Sequence, residues 1–120
     1  MTLTVTIPGR QLTKKRHYRN KRGGGFYLSQ DFKIYEKAAL TWLMQWGNVW
    51  IPGRVIVCAH YYPPDKRGHP DIDNLYATWG DILQKAGLIE NDKFIKWGDS
   101  DIMEPDRDNP RVELVITSRE

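Results

Sequence analysis

The sequence predicts an α+β domain in which two main helices pack on a mixed β-sheet in two layers. Residues 2–7 and 111–117 alternate apolar and polar side chains, as half-buried strands do, while residues 54–62 are largely apolar on both faces, as a central strand is. Residues 29–46 and 73–86 repeat apolar side chains at steps of three and four, which predicts helices. With a less regular strand pattern after the second helix, the predicted order is β-α-β-α-β-β, in a single domain over the whole chain, residues 1–120.

The composition is typical of a soluble domain, with 40% hydrophobic and 28% charged residues. No apolar run approaches the roughly 20 residues that span a membrane. The N-terminal strand pattern lacks the charged region and apolar core of a signal peptide, and the single cysteine, Cys58, cannot form an intramolecular disulfide. These features predict a cytoplasmic protein that folds without disulfides or a structural metal.

The net charge of +3 conceals a division between the two halves of the chain. Residues 1–70 hold 12 Lys and Arg against 3 Asp and Glu, a balance of +9, whereas residues 71–120 hold 6 against 12, a balance of −6. A basic half suits phosphate binding, and an acidic half can supply metal ligands. The alternative is that these charges only keep the surface soluble.

A basic stretch follows the first strand. Residues 10–22 contain seven basic side chains and a tyrosine suited to base stacking, and three consecutive glycines come next. We expect this loop to contact a nucleic-acid backbone, and the alternative is a solvated, mobile loop. The glycines do not form a phosphate-binding loop motif, because no Gly-Lys-Ser/Thr follows them. The predicted DNA-binding residues in this stretch are Arg10, Lys14, Lys15, Arg16, Tyr18, Arg19, Lys21 and Arg22.

The first helix is predicted to begin after Ser29, a good N-cap, and to end before Gly47. Its apolar stripe is rich in aromatic residues, and such a stripe is far more often part of a core than a base-stacking platform. We therefore assign to the core Phe32, Tyr35, Ala39, Trp42, Leu43 and Trp46. In the central strand, Cys58 and His60 share a face, but without a second such pair no zinc site is expected.

The most informative segment is residues 69–75, His-Pro-Asp-Ile-Asp-Asn-Leu. Residues i and i+2 of an extended backbone point to the same side, so Asp71 and Asp73 can converge on one cation, and Asp73 is the predicted N-cap of the second helix. Asp92, just past the end of that helix, is the best candidate for a third carboxylate, provided that the next strand runs back beside the motif. Carboxylates suit Mg²⁺, although Asp-x-Asp segments also occur as caps and turn formers. The preceding loop adds two predicted phosphate-binding residues, Lys66 and Arg67.

Three segments resemble the RusA family of Holliday junction resolvases. Residues 71–75 (Asp-Ile-Asp-Asn-Leu) match the family's Asp-x-Asp-Asn-Leu box, and residues 81–87 match its helix ending near Lys-Ala-Gly. Asn91-Asp92 matches the aspartate that follows that helix. The last strand, the chain length and Tyr18-Arg19 in a basic loop are similar too. The resemblance is specific over residues 65–97 and looser elsewhere.

The resemblance implies a RusA-like fold and a small homodimeric endonuclease of DNA recombination and repair. It would bind four-way DNA junctions and cut two strands of like polarity symmetrically, using Mg²⁺, with Mn²⁺ able to substitute. The family's catalytic, metal-binding aspartates correspond to Asp71, Asp73 and Asp92. Because a junction has approximate two-fold symmetry and needs paired cuts, a two-fold dimer with one site per subunit suits it.

One position departs from the family pattern. Members commonly have a lysine four residues after the second aspartate of the box, where this chain has Ala77. If that lysine assists catalysis, the substitute is expected among Lys66, Arg67, Lys85 and Lys93. The departure leaves open a catalytically weak or inactive protein that only binds branched DNA. The basic loop alone would equally permit an RNA-directed nuclease or an RNA-binding protein.

Overall fold

The computed structural model describes residues 1–13 and 18–119, with the backbone alone for Tyr18. The predicted DNA-binding residues Lys14, Lys15 and Arg16 therefore lie outside the described residues, as does the Tyr18 side chain. The described strands are β1 (Thr2–Pro8), β2 (Tyr18–Asn20), β3 (Phe26–Leu28), β4 (Val55–Tyr62), β5 (Ile95–Trp97), β6 (Asp101–Ile102) and β7 (Arg111–Ser118). The helices are α1 (Gln30–Leu43) and α2 (Ile72–Lys85), with short 3-10 helices at Met44–Trp46 and Asp92–Phe94.

The predicted α+β class, with a mixed sheet and two main helices, is confirmed. In the sheet, β7 lies between β1 and β4 and is antiparallel to both. On its other edge, β4 pairs in parallel with β5 and, further along, with β6. The central position predicted for β4 is therefore correct. Parallel pairing of β4 with β5 requires a crossover connection, and α2 provides it.

One face of the sheet packs against both helices and forms the core. Alternate residues of the three long strands are buried, because successive side chains of a strand point to opposite faces. The buried strand residues are Val5, Ile7, Val55, Val57, Ala59, Tyr61, Val112, Leu114 and Ile116. The helices add Phe32, Ala39, Leu43, Leu75, Trp79, Ile82 and Leu83. The other face of β4, from Ile56 to Tyr62, is only partly buried.

That outer face contains one tight contact. The N–H of Gly98, which follows β5, donates to the carbonyl oxygen of Val57 at 2.8 Å. A Cβ added at Gly98 would lie 2.7 Å from the Cys58 sulfur and 3.0 Å from Ile56. The Cys58 sulfur therefore fills the space that a side chain at position 98 would need. The structure thus gives Cys58 a packing role on this face of the sheet.

Helix α1 begins as predicted, with the Ser29 hydroxyl accepting a hydrogen bond from the N–H of Phe32 at 3.2 Å. The α-helix ends at Leu43, and the last predicted turn is a 3-10 helix. The assignment of Trp42 to the core is wrong, because its side chain is 44% exposed. Its indole N–H donates to the carbonyl oxygen of Thr6 at 2.8 Å, so Trp42 covers the edge of the core with its polar end bonded to β1.

Gln11 joins the N-terminal segment to both helices and to the central strand. Its side-chain oxygen accepts hydrogen bonds from the Tyr35 hydroxyl at 2.8 Å and from the Trp79 indole at 2.7 Å. Its backbone N–H donates to the Tyr61 hydroxyl at 3.0 Å. Burial raises the pKa of both tyrosines above their usual value, which keeps the two hydroxyls protonated. Nothing in the sequence distinguishes this buried glutamine from its polar neighbours.

β2 and β3 form a hairpin that was not predicted. The pairing runs from Tyr18 opposite Leu28 to Asn20 opposite Phe26, in a two-stranded sheet separate from the main one. The three glycines at residues 23–25 all have positive φ, between 80° and 107°, which side chains rarely allow. The N–H of Lys21 donates to the carbonyl oxygen of Gly25 at 2.9 Å. The glycines thus form a hydrogen-bonded turn between the two strands.

Candidate active site

The start of α2 differs from the prediction. Asp71 is the N-cap, and its carbonyl oxygen accepts a hydrogen bond from the N–H of Leu75 at 3.1 Å. Asp73 lies in the first turn, so its prediction as N-cap is wrong by two residues. Ile72 packs against the core, and this burial favours a helix that already includes it. Residues two apart in a helix do not face each other, so the extended geometry that would converge Asp71 and Asp73 on one cation is absent at this helix start.

Asp73 faces an open cavity of about 340 Å³ on one side of α2. The chain after α2 forms the opposite wall and, as predicted, runs back beside the helix. The rings of Tyr76 and Trp97 stack there, with centroids 4.3 Å apart and planes 18° from parallel. The residues lining the cavity are Asp73, Tyr76, Ala77, Gly80, Asp92, Ile95 and Trp97. Two of the three predicted aspartates therefore face the same cavity.

Gly80 allows the segment containing Asp92 to approach α2 closely. A Cβ added at Gly80 would lie 3.3 Å from the Asp92 Cβ and 3.6 Å from the Ile95 Cδ1 atom. One turn further along the helix, the side-chain oxygen of Gln84 accepts a hydrogen bond from the Asp92 N–H at 2.9 Å. The carbonyl oxygen of Asp92 in turn accepts a hydrogen bond from the Ile95 N–H. These contacts hold the Asp92 backbone against α2 while its side chain stays exposed.

The two aspartates face the cavity from opposite ends. Asp73 lies seven residues before Gly80, and a rise of about 1.5 Å per residue separates their backbones by about 10 Å. Asp92 packs at the level of Gly80. Asp71 does not line the cavity, and the described residues contain no group of three His, Cys, Asp or Glu placed to hold a metal ion. The structure therefore does not assemble the three predicted carboxylates into one cluster.

The two carboxylates that face the cavity suit a Mg²⁺ ion whose other ligands are water and substrate oxygens. Mg²⁺ sites in phosphate-processing enzymes commonly use one or two carboxylates, with water and phosphate oxygens completing the coordination. Asp73 and Asp92 supply two exposed carboxylates on an open cavity. Softer ligands are missing from the cavity lining, which contains neither cysteine nor histidine. Such a lining suits a hard, oxygen-binding cation better than zinc.

The loop that precedes the aspartate motif, residues 65–69, is hydrogen-bonded to the N-terminal segment. The Arg10 guanidinium donates to the carbonyl oxygen of Arg67 at 3.3 Å, and the Arg67 N–H donates to the Asp65 carboxylate at 2.8 Å. Arg10 and Arg67 are both exposed. Lys66 lines a separate cavity of about 410 Å³ together with His69 and Glu104. Arg10 and Arg67 thus meet on the loop that enters the aspartate motif.

Two of the lysines proposed to replace the missing helix lysine, Lys85 and Lys93, lie in different surroundings. Lys85 forms ion pairs at 3.1 Å with both Glu36 and Asp81, on the side of α2 that faces α1. Burial lowers its pKa, but the two carboxylates outweigh burial, so the pKa of Lys85 is raised and the ammonium stays charged. This placement argues against Lys85 as the substitute. Lys93 adjoins Asp92, with its ammonium 5.3 Å from the centre of the Phe94 ring.

Sequence reasoning missed the residues that shape the cavity. The sequence alone gives no role in the site to Gly80, Gln84, Tyr76 or Trp97. A signal was present, because Ala77, Gly80 and Gln84 follow Asp73 at steps of four, three and four. Such steps place them on one face of a helix, beside the aspartate.

A protein-family model described as "Endodeoxyribonuclease RusA" matches residues 8–117, nearly the whole chain. A comparison with curated proteins gives no match. The matched range contains the cavity, the hairpin, both helices and the sheet apart from nearly all of β1. Among the described residues, no helix is long and apolar enough to cross a membrane.

Proposed function

The chain belongs to the RusA family of endodeoxyribonucleases, and from that membership we propose that it resolves four-way DNA junctions in recombination and repair. It cuts two strands of like polarity symmetrically, as a homodimer with one site per subunit. Mg²⁺ is the proposed cofactor, with Mn²⁺ able to substitute, and the cytoplasm is the proposed location. RNA is the less favoured substrate, because the family is one of deoxyribonucleases.

The observation that supports this function best is the shared cavity of Asp73 and Asp92. The two carboxylates are exposed, and the space between them is open to solvent, as a site for a bulky polyanion must be. A phosphodiester entering this space places its negative oxygens between two acidic groups, which is unfavourable unless a cation is bound as well. We therefore expect DNA to bind in this cavity together with a divalent cation held by Asp73 and Asp92.

Phosphodiester hydrolysis needs an activated water, stabilisation of charge on the phosphate and help for the leaving oxygen. In this proposal Asp73 and Asp92 would hold Mg²⁺ from the cavity, and Asp71 would join them as a third ligand when metal and DNA rearrange the helix start. When bound, the cation supplies a water of lowered pKa and neutralises phosphate charge. Lys93, next to Asp92, is the proposed group that stabilises the leaving oxygen. Arg10, Lys66 and Arg67 hold neighbouring phosphates of the DNA backbone.

The test is cleavage of a labelled synthetic four-way junction with and without Mg²⁺. We expect paired cuts in wild-type protein, and no cuts after Asp73→Asn or Asp92→Asn. Junction affinity should be kept or increased in both variants, because negative charge near DNA is removed. Asp71→Asn is expected to abolish cleavage as well. Asp108→Asn, at an exposed acid outside the cavity, is the matched control and should cut normally. Full activity of the cavity variants would refute the proposal.

A second function is favoured by one observation. Ala77 lines the cavity at the position where the family commonly has a lysine. A protein that has lost this group would be a catalytically weak or inactive binder of branched DNA. This alternative predicts tight junction binding without cleavage in Mg²⁺ or Mn²⁺. Metal-dependent nicking at the branch point would exclude it, and competition with duplex RNA would reveal an RNA-binding role.

A further inference from the structure

The β2–β3 hairpin exposes two aromatic side chains. Phe26 is 67% exposed and Tyr27 is 46% exposed, although large apolar groups are normally buried. The antiparallel register puts Tyr27 opposite Arg19 and Phe26 opposite Asn20. The turn that follows Asn20 adds Lys21 and Arg22, both exposed. Aromatic surface and positive charge are thus combined within a few residues.

The hairpin is held in a defined shape. Lys21 donates to the carbonyl oxygen of Gly25 and accepts from the N–H of Gly24, at 2.9 and 3.1 Å. Leu28, at the base of β3, is partly buried, and Ser29 directly after it caps α1. Exposed aromatic groups on an ordered hairpin lose little conformational entropy when they bind. The β2–β3 hairpin, called the arm below, is therefore suited to binding a partner molecule.

The arm emerges at the end of the helical layer where α2 begins. Tyr35 and Trp79 meet at Gln11, whereas Leu40 and Met44 meet Lys85 and Ala86 around a cavity near the helix ends. The two helices therefore run in the same direction. The start of α1, from which the arm extends, lies at the same end as the start of α2, which carries Asp71 and Asp73.

The chemistry of the arm selects its ligand. Cations beside exposed rings fit a partner that offers both phosphates and flat aromatic faces. Duplex DNA offers phosphates, but its bases are stacked and unavailable to the rings. A branch point is where stacking is interrupted, and apolar side chains can enter there at a lower cost than within a continuous duplex. An acidic peptide offers charge without the flat faces.

We propose that the hairpin stacks Phe26 on a base exposed at the branch point, while Arg19, Lys21 and Arg22 bind the flanking phosphates. The inference rests on the proposed function for the identity of the DNA. It adds a recognition element at a distance from the cavity, which makes the protein selective for branched over continuous DNA. Tyr27 lies on the other face of the hairpin, opposite Arg19.

The test uses a four-way junction with 2-aminopurine at the branch point, in EDTA, so that cutting is not required. Wild-type protein should bind the junction and change the fluorescence of the probe. Phe26→Ala should abolish the fluorescence change and weaken junction binding by about tenfold, the typical effect of losing one base–aromatic stack. Affinity for a continuous duplex should change less than twofold. Phe26→Trp should restore both signals.

Trp50→Ala is the matched control, because Trp50 is 55% exposed but lies outside the hairpin. It should behave as wild type. An unchanged fluorescence signal and junction affinity in Phe26→Ala would overturn the proposal, as would equal losses on junction and duplex. Failure of wild-type protein to bind the junction would also overturn it. A normal Phe26 effect with no cleavage in Mg²⁺ would refute the proposed nuclease function alone.

Discussion

The substitution Gly80→Ala tests whether cleavage depends on the close approach of Asp92 to α2, because it should disturb that contact with little change in the stability of the fold. Gly80 is buried in α2, and its missing side chain leaves room for the segment that carries Asp92. The substitution adds a single methyl group to a helical residue with ordinary negative φ, so the backbone itself is not strained. The added carbon would lie 3.3 Å from the Asp92 Cβ, closer than carbon atoms prefer.

Two opposing effects determine the change in stability. Alanine is favoured over glycine in a helix by about 1 kcal/mol. The new methyl would also make ordinary contacts with Ile95 at 3.6 Å and Trp97 at 3.8 Å. Against this, the Asp92 segment must shift by a few tenths of an ångström. We expect the free energy of unfolding to change by less than about 1 kcal/mol, in either direction, because these small terms nearly cancel.

The effect on cleavage should be larger than the effect on stability. A misplacement of about 1 Å at a reacting centre costs roughly 100-fold in rate, so a shift of a few tenths should cost about three- to tenfold. Gly80→Val should shift Asp92 further and reduce the rate by more than 100-fold.

The assays are single-turnover cleavage of a labelled junction over a Mg²⁺ titration, and urea unfolding of the same preparations. Thr41→Ala on the exposed side of α1 is the control, because it gives a similar gain in helix propensity away from the cavity. Cleavage by Gly80→Ala at the wild-type rate, with the same Mg²⁺ dependence, would show that the close approach of Asp92 to α2 does not control the site.

Three further predictions follow from the described contacts. Ala77→Lys should raise the single-turnover cleavage rate by about 100-fold if a cavity lysine is the missing proton donor, and a rate equal to that of wild type would contradict this. Gln11→Leu should lower the free energy of unfolding, measured in urea, by about 2–5 kcal/mol, because the buried donors of Tyr35 and Trp79 lose their acceptor. A loss below about 1 kcal/mol would count against a stabilising role for Gln11. Junction affinity measured by fluorescence anisotropy should fall steeply with salt, with a log–log slope of about −5 if all six described basic candidates contact phosphate, and a flat dependence would exclude those contacts.

The main architecture was predictable because its strongest signals are local. Ser29 caps α1 through a contact made within one turn, and the apolar character of β4 reflects burial between two neighbouring strands. The hairpin was missed because strands of three residues are too short to show alternation. Trp42 was misplaced because helical spacing indicates the apolar face without showing how far that face extends beyond the core.

The shared position of two of the predicted aspartates could be anticipated from the sequence, whereas the geometry at the start of α2 could not. Asp73 and Asp92 do face one cavity, but the helix start at Ile72 places Asp71 outside the cavity lining. Two good N-cap residues stand two positions apart, and local propensity does not choose between them. Packing of Ile72 against the core favours Asp71 as the N-cap, and local sequence signals do not reveal this tertiary contact.

The contact between Gly98 and Cys58 has a consequence for how such chains can vary. The two positions are distant in sequence, yet they share one small volume on the outer face of the sheet, where a side chain at 98 would meet the sulfur at 2.7 Å. An alanine at 98 is better accommodated with a smaller residue at 58. Among relatives of this chain the two positions should therefore covary, and the stability lost in Gly98→Ala should be recovered in part by Cys58→Ala, which removes the sulfur and leaves the 3.0 Å contact with Ile56.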